Sequence, residues 1–239
     1  MIIISYGVMK SGSTLAWEMA KAVLELNGYP QNRLPGGLVS EQHPKANIGG
    51  GWTDEQFSRL IDAARDLRIV IKTHHPPAQL PTDRVLELCT SGDLKIHVVF
   101  RRPHDTLLSM LDYDHSIARS RRRPREFRTL DDAIDALGRR LSALREWGSF
   151  PSLKLCYEDF AFDATAGPTM IAQDLGLPAD PAEVWEIASQ KFTQKNVARP
   201  ERYKTELSID EIARVERAFP LFLDVVGGNP PAGWFARPG

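Results

Sequence analysis

Three short segments of the chain carry the residue types best suited to binding an anion. Residues 7–14 read Gly-Val-Met-Lys-Ser-Gly-Ser-Thr, residues 72–74 read Lys-Thr-His, and residues 101–102 are two arginines. Each segment follows a run of apolar residues typical of a buried strand. A glycine-bearing turn before a helix offers backbone N–H groups, and lysine and arginine add full positive charges. The three segments therefore predict a site for a polyanionic ligand.

The residues around these segments predict alternating strands and helices. Strands are expected at residues 2–4, 69–71, 96–100 and 153–157, and helices at 14–27, 53–67, 84–89, from 103 past 111, at 130–147, 168–175 and 181–190, with a last one from 208. This alternation predicts an α/β fold, a central parallel β-sheet flanked by helices in a three-layer sandwich like that of P-loop NTPases. Ligands bind such sheets at the carboxyl ends of the strands, where the three segments lie.

Composition limits the classes of partner. Thirty Lys and Arg residues against 31 Asp and Glu residues give a net charge of -1, so no global field favours nucleic acid or an anionic membrane. Cys89 and Cys156 lack metal-ligand spacing and lie among apolar residues, as expected of reduced, buried thiols. We find no signal-peptide pattern and no apolar run of membrane-spanning length. We expect a cytoplasmic protein without a membrane span and without nucleic acid as partner.

The first segment is close to the phosphate-binding loop of P-loop kinases. Gly7 and Gly12 have the spacing of that loop, but Ser13 stands where its lysine belongs, and Lys10 lies earlier in the turn. The two neighbouring strands end in Lys72 and Arg101 rather than in an aspartate that holds Mg²⁺. The pattern favours an anion handled without a metal ion. A magnesium-dependent P-loop kinase that uses ATP remains an alternative.

Four motifs in order resemble the cytosolic-type sulfotransferases, which use 3′-phosphoadenosine 5′-phosphosulfate (PAPS). Residues 9–15 read Met-Lys-Ser-Gly-Ser-Thr-Leu, close to the family's 5′-phosphosulfate loop. Residues 72–76 match its Lys-Thr-His motif, residues 101–109 its 3′-phosphate motif with Ser109 at the required offset, and residues 157–159 its Tyr-Glu-Asp motif. The resemblance implies a P-loop-like sulfotransferase domain. It would transfer a sulfuryl group from PAPS to a hydroxyl, or to an amine, and release 3′,5′-bisphosphoadenosine (PAP).

The resemblance also implies a role for each motif residue. Lys10 would stabilise charge on the bridging oxygen of the leaving bisphosphate, Lys72 would contact the sulfonate, and His74 would be the general base. No metal ion takes part. The residues implied to bind the PAPS co-substrate are Lys10, Ser11, Gly12, Ser13, Thr14, Arg101, Ser109 and Tyr157.

The chain departs from the family pattern at several positions. Leu15 stands where the family often has a tryptophan that stacks on adenine, so Tyr157 is expected to contribute more to base recognition. Met9, Arg102 and His104 also differ from the pattern. The late basic triplet that completes the 3′-phosphate pocket is absent. Arg199, Arg202 and Lys204 lie in the corresponding region, and the sequence does not choose among them.

Helical spacing adds an expectation for Ser109. Leu107, Leu108 and Leu111 define an apolar stripe, and Ser109 lies about 150° from its centre. The spacing predicts that Ser109 lies outside the core, at solvent or at a ligand.

We expect a single sulfotransferase domain over residues 1–239. Residues 28–52, rich in glycine and proline, and residues from about 112 to 150 are expected to form loop and helical segments on the acceptor side. The acceptor is a small molecule, a glycan or a lipid, and the sequence does not decide among them. Oligomeric state is equally undetermined.

An arginine cluster supplies a further alternative. Six arginines lie within ten residues: Arg119, Arg121, Arg122, Arg123, Arg125 and Arg128. Such clusters are usually solvated, self-repelling loops. An arginine-rich polyanion-binding module is the second alternative function.

Overall fold

The computed structural model describes residues 1–35, 37–41, 47–77, 79–121, 126–191 and 199–236, without the side chains of 117 and 119–121. Five parallel strands form one sheet in the order β2-β3-β1-β4-β5. The strands are β1 (Ile2–Gly7), β2 (Ile48–Gly49), β3 (Ile69–Thr73), β4 (Leu94–Phe100) and β5 (Leu153–Cys156). Since β3 and β4 flank β1, the three basic segments leave neighbouring strands at the same edge of the sheet.

Helices connect and cover the strands. They are α1 (Ser13–Leu26), α2 (Asp54–Ala63), α3 (Thr82–Ser91), α4 (Pro103–Arg121), α5 (Leu130–Gly148), α6 (Tyr157–Phe160), α7 (Ala166–Leu175), α8 (Pro181–Lys191), α9 (Tyr203–Glu206), α10 (Ile209–Ala218) and α11 (Pro220–Val226). Capping boxes at Thr53, Thr129 and Ser208 open α2, α5 and α10. No helix among the described residues is both long enough and apolar enough to cross a bilayer.

Both faces of the sheet are buried. Successive residues of β1 point to opposite sides, so Ile2 and Ile4 pack with α2, α3, α4 and α5, while Ile3 packs with α1, α7 and α8. This arrangement explains why the first strand is apolar at consecutive positions. The expected α/β fold, with a central parallel sheet and helices on both faces, is confirmed.

The short elements differ from the sequence prediction. The stretch 28–52 contains the two-residue strand β2, α2 ends at Ala63 rather than at residue 67, and α10 is followed by α11. A two-residue strand leaves no periodic pattern, and α11 depends on tertiary packing, since Phe222 and Val225 are both buried. Strand β5 ends one residue early, because Tyr157 begins α6.

Candidate active site

The loop between β1 and α1 is a tight turn that places backbone N–H groups at the sheet edge. Lys10 and Gly12 both have positive φ, 69° and 85°. A side chain at Gly12 would overlap the Tyr157 ring, and one at Gly7 would overlap Ser13, so glycine is required at both positions. The first helical hydrogen bond of α1 runs from the Ala16 N–H to the Gly12 carbonyl. The N–H groups of residues 13–15 therefore have no partner within the helix and can face an anion.

Ser11 fixes this loop to the neighbouring strand. Its side chain is fully buried, and its hydroxyl donates to the Val99 carbonyl at 3.1 Å. Its backbone N–H donates to the Val8 carbonyl, also at 3.1 Å. The loop is therefore held in its shape before any ligand binds.

Lys72, at the end of β3, points to the start of α1. Its Nζ donates to Oγ1 of Thr14 at 2.6 Å, and its side chain is buried. Burial lowers the pKa of Lys72 to about 8, and the nearby charge of Lys10 adds to this, while Glu18 opposes it. Lys72 is still mostly a cation at neutral pH, although it lies close to a second positive charge.

His74 is joined to the same loop. Its Nδ1 lies 2.6 Å from the Gly7 carbonyl oxygen. A carbonyl only accepts, so Nδ1 carries the hydrogen and Nε2 keeps a free lone pair in the neutral ring. His74 as a whole residue is exposed, but loss of hydration around its imidazole lowers the pKa of His74 to about 4. The positive charge of Lys72 lowers this pKa further. The ring is therefore neutral at pH 7.

Two hydrogen bonds hold the turn that carries His74. The indole Nε1 of Trp147, a fully buried residue of α5, donates to the His75 carbonyl at 2.8 Å. The His75 N–H donates to Oγ1 of Thr73 at 3.1 Å. These two bonds fix the backbone on the C-terminal side of His74.

Lys10 crosses from the loop towards α4. Its Nζ lies 4.3 Å from the centroid of the Tyr113 ring, within cation–π distance. Burial and the Arg101 charge lower the pKa of Lys10, and Asp112 opposes them. Lys10 is thus close enough to both Lys72 and Arg101 for their positive charges to repel it, and a bound anion would relieve that repulsion.

Arg101 is a buried cation whose Nε has no hydrogen-bond acceptor among the described residues. It is 7% exposed, its guanidinium lies 4.4 Å above the Tyr157 ring, and its contact with the Asp105 carboxylate is a long 4.0 Å. Its Nε is buried and has no hydrogen-bond partner among the described residues. A buried guanidinium N–H is normally bonded, so this donor is available to an anion that enters beside Arg101.

Several solved structures share the fold of this chain. One is "retinol dehydratase in complex with androsterone and inactive cofactor PAP", with a TM-score of 0.61 and 14% identity, covering 96% of this chain and 81% of that one. The same enzyme "in a complex with retinol and PAP" gives 0.61 and 13%, covering 96% and 82%. Mouse sulfotransferase SULT7A1 complexed with PAP gives 0.57 and 15%, covering 97% and 85%. The chain has the sulfotransferase fold. No protein-family model matches it, and no curated protein matches it either.

Ser109 occupies a different environment in the sulfotransferase fold from the one its spacing predicted. Its side chain is only 2% exposed. The expectation that it lies outside the core is wrong, because α4 is covered by α5 on one side and by α9 and α10 on another. A single apolar stripe describes a helix with one buried face, whereas residues 103–110 are buried on all sides.

The three late basic residues are all paired with carboxylates. Arg199 contacts Glu206 at 3.3 Å, and Lys204 contacts Glu201 at 2.6 Å, both at the surface. Arg202 is 5% exposed and contacts Asp112 at 2.8 Å. Its guanidinium also contacts Glu206 at 2.6 Å, and its partner Asp112 is the carboxylate whose charge acts on Lys10.

Arg102 and His104, two departures from the family pattern, have a structural role that the sequence did not reveal. Arg102 contacts Glu201 at 2.9 Å, and His104 stacks on the Tyr203 ring at 4.5 Å. The Tyr203 N–H donates to Asp105 at 3.1 Å. These contacts hold α9 against the start of α4, beside Arg101.

The remaining expectations concern the arginine cluster and a possible metal site. The side chains of Arg119, Arg121, Arg122, Arg123 and Arg125 lie outside the described residues; of the cluster, the Arg128 N–H donates to Asp132 at 2.9 Å. Within the described part of the chain, no group of three His, Cys, Asp or Glu side chains is placed to hold a metal ion.

Proposed function

We propose that this protein is a PAPS-dependent sulfotransferase, which transfers a sulfuryl group to a hydroxyl or amine of a small acceptor and releases PAP. The observation that carries the proposal is the meeting of Lys10, Lys72 and Arg101 with a neutral His74 at the ends of three adjacent strands. The structural neighbours with the same fold were crystallised with PAP.

The site residues fit the donor. PAPS carries about four negative charges, counting a 3′-phosphate near −2. The N–H groups of Gly12, Ser13 and Thr14 would bind the 5′-phosphate, together with Ser11, which shapes the loop. Arg101, whose buried Nε has no acceptor in the described part of the chain, would bind the 3′-phosphate with Ser109. Tyr157 packs on both Gly12 and Arg101 and would lie beside the adenosine.

His74 would start the transfer. The acceptor hydroxyl gives its proton to Nε2 of His74 as its oxygen attacks the sulfur of PAPS. The Gly7 carbonyl fixes the tautomer through Nδ1, so the free lone pair has one direction. A pKa near 4 makes His74 a weak base in the free protein. The bound donor anion would raise that pKa and strengthen the base when it is needed.

Two lysines would stabilise the charge on the leaving group and on the transferred sulfuryl group. As the new O–S bond forms, the bond between sulfur and the bridging phosphate oxygen breaks, and its electron pair leaves with PAP. Sulfuryl transfer resembles phosphoryl transfer in its loose transition state, so charge stabilisation dominates. Lys10 would neutralise the bridging oxygen and Lys72 the sulfonate oxygens. This step uses no metal ion.

We also propose that the acceptor lies between the segment 28–52 and the segment 112–150 of a single domain. A Cβ placed on Gly51 would lie 3.7 Å from Nδ1 of His75. From the other segment, Tyr113 contacts Lys10 and Trp147 holds the His75 carbonyl. Because the structural neighbours were crystallised with retinol and androsterone, a small hydroxyl-bearing acceptor is the first class to test.

Thermal-shift measurements test the donor class. PAP should raise the melting temperature without metal, because it binds the folded state only, whereas ATP with Mg²⁺ should have little effect. Lys10→Ala should remove the PAP shift, and Lys191→Ala, at an exposed lysine of α8, should keep it. Stabilisation by ATP with Mg²⁺ alone would favour the kinase. A PAP shift that survives Lys10→Ala but is lost when Arg121, Arg122 and Arg123 become alanine would favour the polyanion module.

A further inference from the structure

Lys10 has a backbone conformation that favours glycine. Its φ of 69° lies in the left-handed region, where a residue with a Cβ is disfavoured. Glycine would fit this turn more easily, so a lysine here is explained by its side chain rather than by its backbone. The contacts that its ammonium makes in the free protein are therefore informative.

The Lys10 ammonium lies over the ring of Tyr113, a half-buried residue of α4. Nζ of Lys10 is 4.3 Å from the ring centroid. Asp105, Ser109 and Tyr113 follow one another every four residues, so they lie along one side of α4. Asp105 is 4.0 Å from Arg101 near the start of this side, and the Lys10 contact lies further along it. One side of α4 thus runs beside two of the three cations of the site.

The charged groups near Lys10 do not hold its ammonium in place. Burial opposes the charge on Lys10, and Arg101 repels it. Asp112 favours that charge, but its carboxylate is already bonded to Arg202 at 2.8 Å. The Tyr113 ring, in direct contact with Nζ, is therefore the group best placed to hold it.

A ring face suits this role better than a carboxylate would. The face of the ring attracts a cation through its quadrupole, yet the ring has no net charge with which to repel an anionic donor. An ammonium has three N–H donors, so contact with a ring on one side leaves donors for a phosphate oxygen on another. Tyr113 can thus orient Lys10 without neutralising it.

We propose that Tyr113 is a positioning residue, which holds the Lys10 ammonium by a cation–π contact where it can meet the bridging oxygen of the donor. The proposal rests on the proposed function, because Lys10 is taken to stabilise the leaving bisphosphate. The ring supplies the contact, and the phenolic hydroxyl is not needed for it. Without the ring, the flexible lysine side chain has more rotamers to lose when the donor binds.

NMR tests the contact in the free protein. Lysine labelled with ¹³C at Cε gives a signal for Lys10, which Lys10→Arg assigns. Protons over the face of an aromatic ring resonate upfield, so the Lys10 signal should lie upfield of that of the exposed Lys191. Tyr113→Leu should abolish this shift, and Tyr113→Phe should keep it. The absence of an upfield shift in the parent protein would overturn the proposal, whether or not Tyr113→Leu folds.

Ligand binding tests whether the contact serves the donor. Because Lys10 would meet the 5′-phosphate, Tyr113→Leu should raise the dissociation constant for PAP about fivefold. Adenosine 3′-phosphate lacks that group and should bind Tyr113→Leu almost as tightly as it binds the parent protein. Tyr113→Phe keeps the ring face and should bind PAP as the parent does. Equal losses for both nucleotides, as a general distortion of the site would give, would overturn the proposal.

Tyr29→Leu is the matched control. The Arg68 guanidinium lies 4.5 Å from the centroid of the Tyr29 ring, at the opposite end of α1 from the loop that carries Lys10. This variant loses a similar contact far from the site and should bind PAP as the parent does. The same loss of PAP binding in Tyr29→Leu and Tyr113→Leu would contradict a specific role for Tyr113.

The parent protein separates this inference from the proposed function. If it binds PAP and Tyr113→Leu binds PAP equally well, the role of Tyr113 alone is overturned. Failure of the parent protein to bind PAP overturns the proposed function, and the NMR signal of Lys10 still decides whether Tyr113 holds that side chain.

Discussion

The hydrogen bond between Nδ1 of His74 and the carbonyl oxygen of Gly7, 2.6 Å long, joins the proposed base to the loop proposed to hold the donor. His74→Ala removes the proton acceptor, while Ser11 still holds the loop through its bonds to Val8 and Val99, so turnover should fall at least 100-fold while the PAP dissociation constant stays nearly the same. The assay is transfer from labelled PAPS to an acceptor found by mass shift in a panel. His75→Ala is the control and should keep most of the activity. Unchanged turnover in His74→Ala would exclude His74 as the base.

PAP should change the titration of His74. In the free protein, loss of hydration and the charge of Lys72 lower the pKa of His74 to about 4. A bound bisphosphate favours the charged ring, so we expect that pKa to rise by about one unit or more. By linkage, PAP then binds more tightly as the pH falls from the bound pKa towards the free one. NMR titration of the imidazole with and without PAP measures both effects, with uncharged adenosine as the control. The same pKa at saturating PAP would contradict the expected contact.

The larger elements and the location of the site follow from the sequence because each carries a local signal. The buried strands β1, β3 and β4 read as apolar runs, and each run is followed by charged residues. Parallel strands bring such residues to one edge, so Lys72 and Arg101 were expected together. Their placement at neighbouring strand ends needed no knowledge of side-chain contacts.

Other features depend on contacts that no local pattern carries. Ser109 is buried because α9 and α10 return to cover α4, a contact between residues about a hundred positions apart. The anchoring of His75 by Trp147 joins segments 72 residues apart. Strand β2 has two residues, too few for any periodicity to appear. The pairing of Arg202 with Asp112 likewise needed the structure, since three basic residues were equivalent in the sequence.

Arg101→Ala should weaken PAP far more than adenosine 5′-phosphate. The buried Nε of this side chain meets no acceptor from the described segments, and a charge-assisted bond to phosphate typically contributes about 1.5–3 kcal/mol. We therefore expect roughly a 10- to 100-fold loss for PAP and less than a threefold loss for the nucleotide without a 3′-phosphate. Isothermal titration with both ligands measures the difference. Arg65→Ala, at an exposed arginine just after α2, is the matched control. Equal losses for both ligands would show that Arg101 does not recognise the 3′-phosphate.

Gly12→Ala should destabilise the protein and remove PAP binding. The new Cβ meets the left-handed backbone, at a cost of about 1–2 kcal/mol, and also overlaps the Tyr157 ring. Gly92→Ala is the control, since Gly92 has a similar φ of 79° and open space around it. In urea unfolding, we expect Gly12→Ala to lose at least twice the free energy that Gly92→Ala loses. Equal losses would mean that Tyr157 does not press on the loop.

Trp147→Phe tests whether the anchor of the His75 carbonyl acts on catalysis as well as on stability. The substitution removes the 2.8 Å hydrogen bond and leaves a small cavity, which together should lower the free energy of unfolding by about 2 kcal/mol. With the turn less firmly held, the imidazole of His74 spends less time in line with the acceptor, so kcat should fall about 10-fold with little change in the KM for PAPS. Phe57→Leu, at a fully buried residue of α2 on the same face of the sheet, should lose stability while keeping kcat. If both variants lose stability and neither loses kcat, Trp147 supports the core alone, and the orientation of His74 depends on its bond to Gly7.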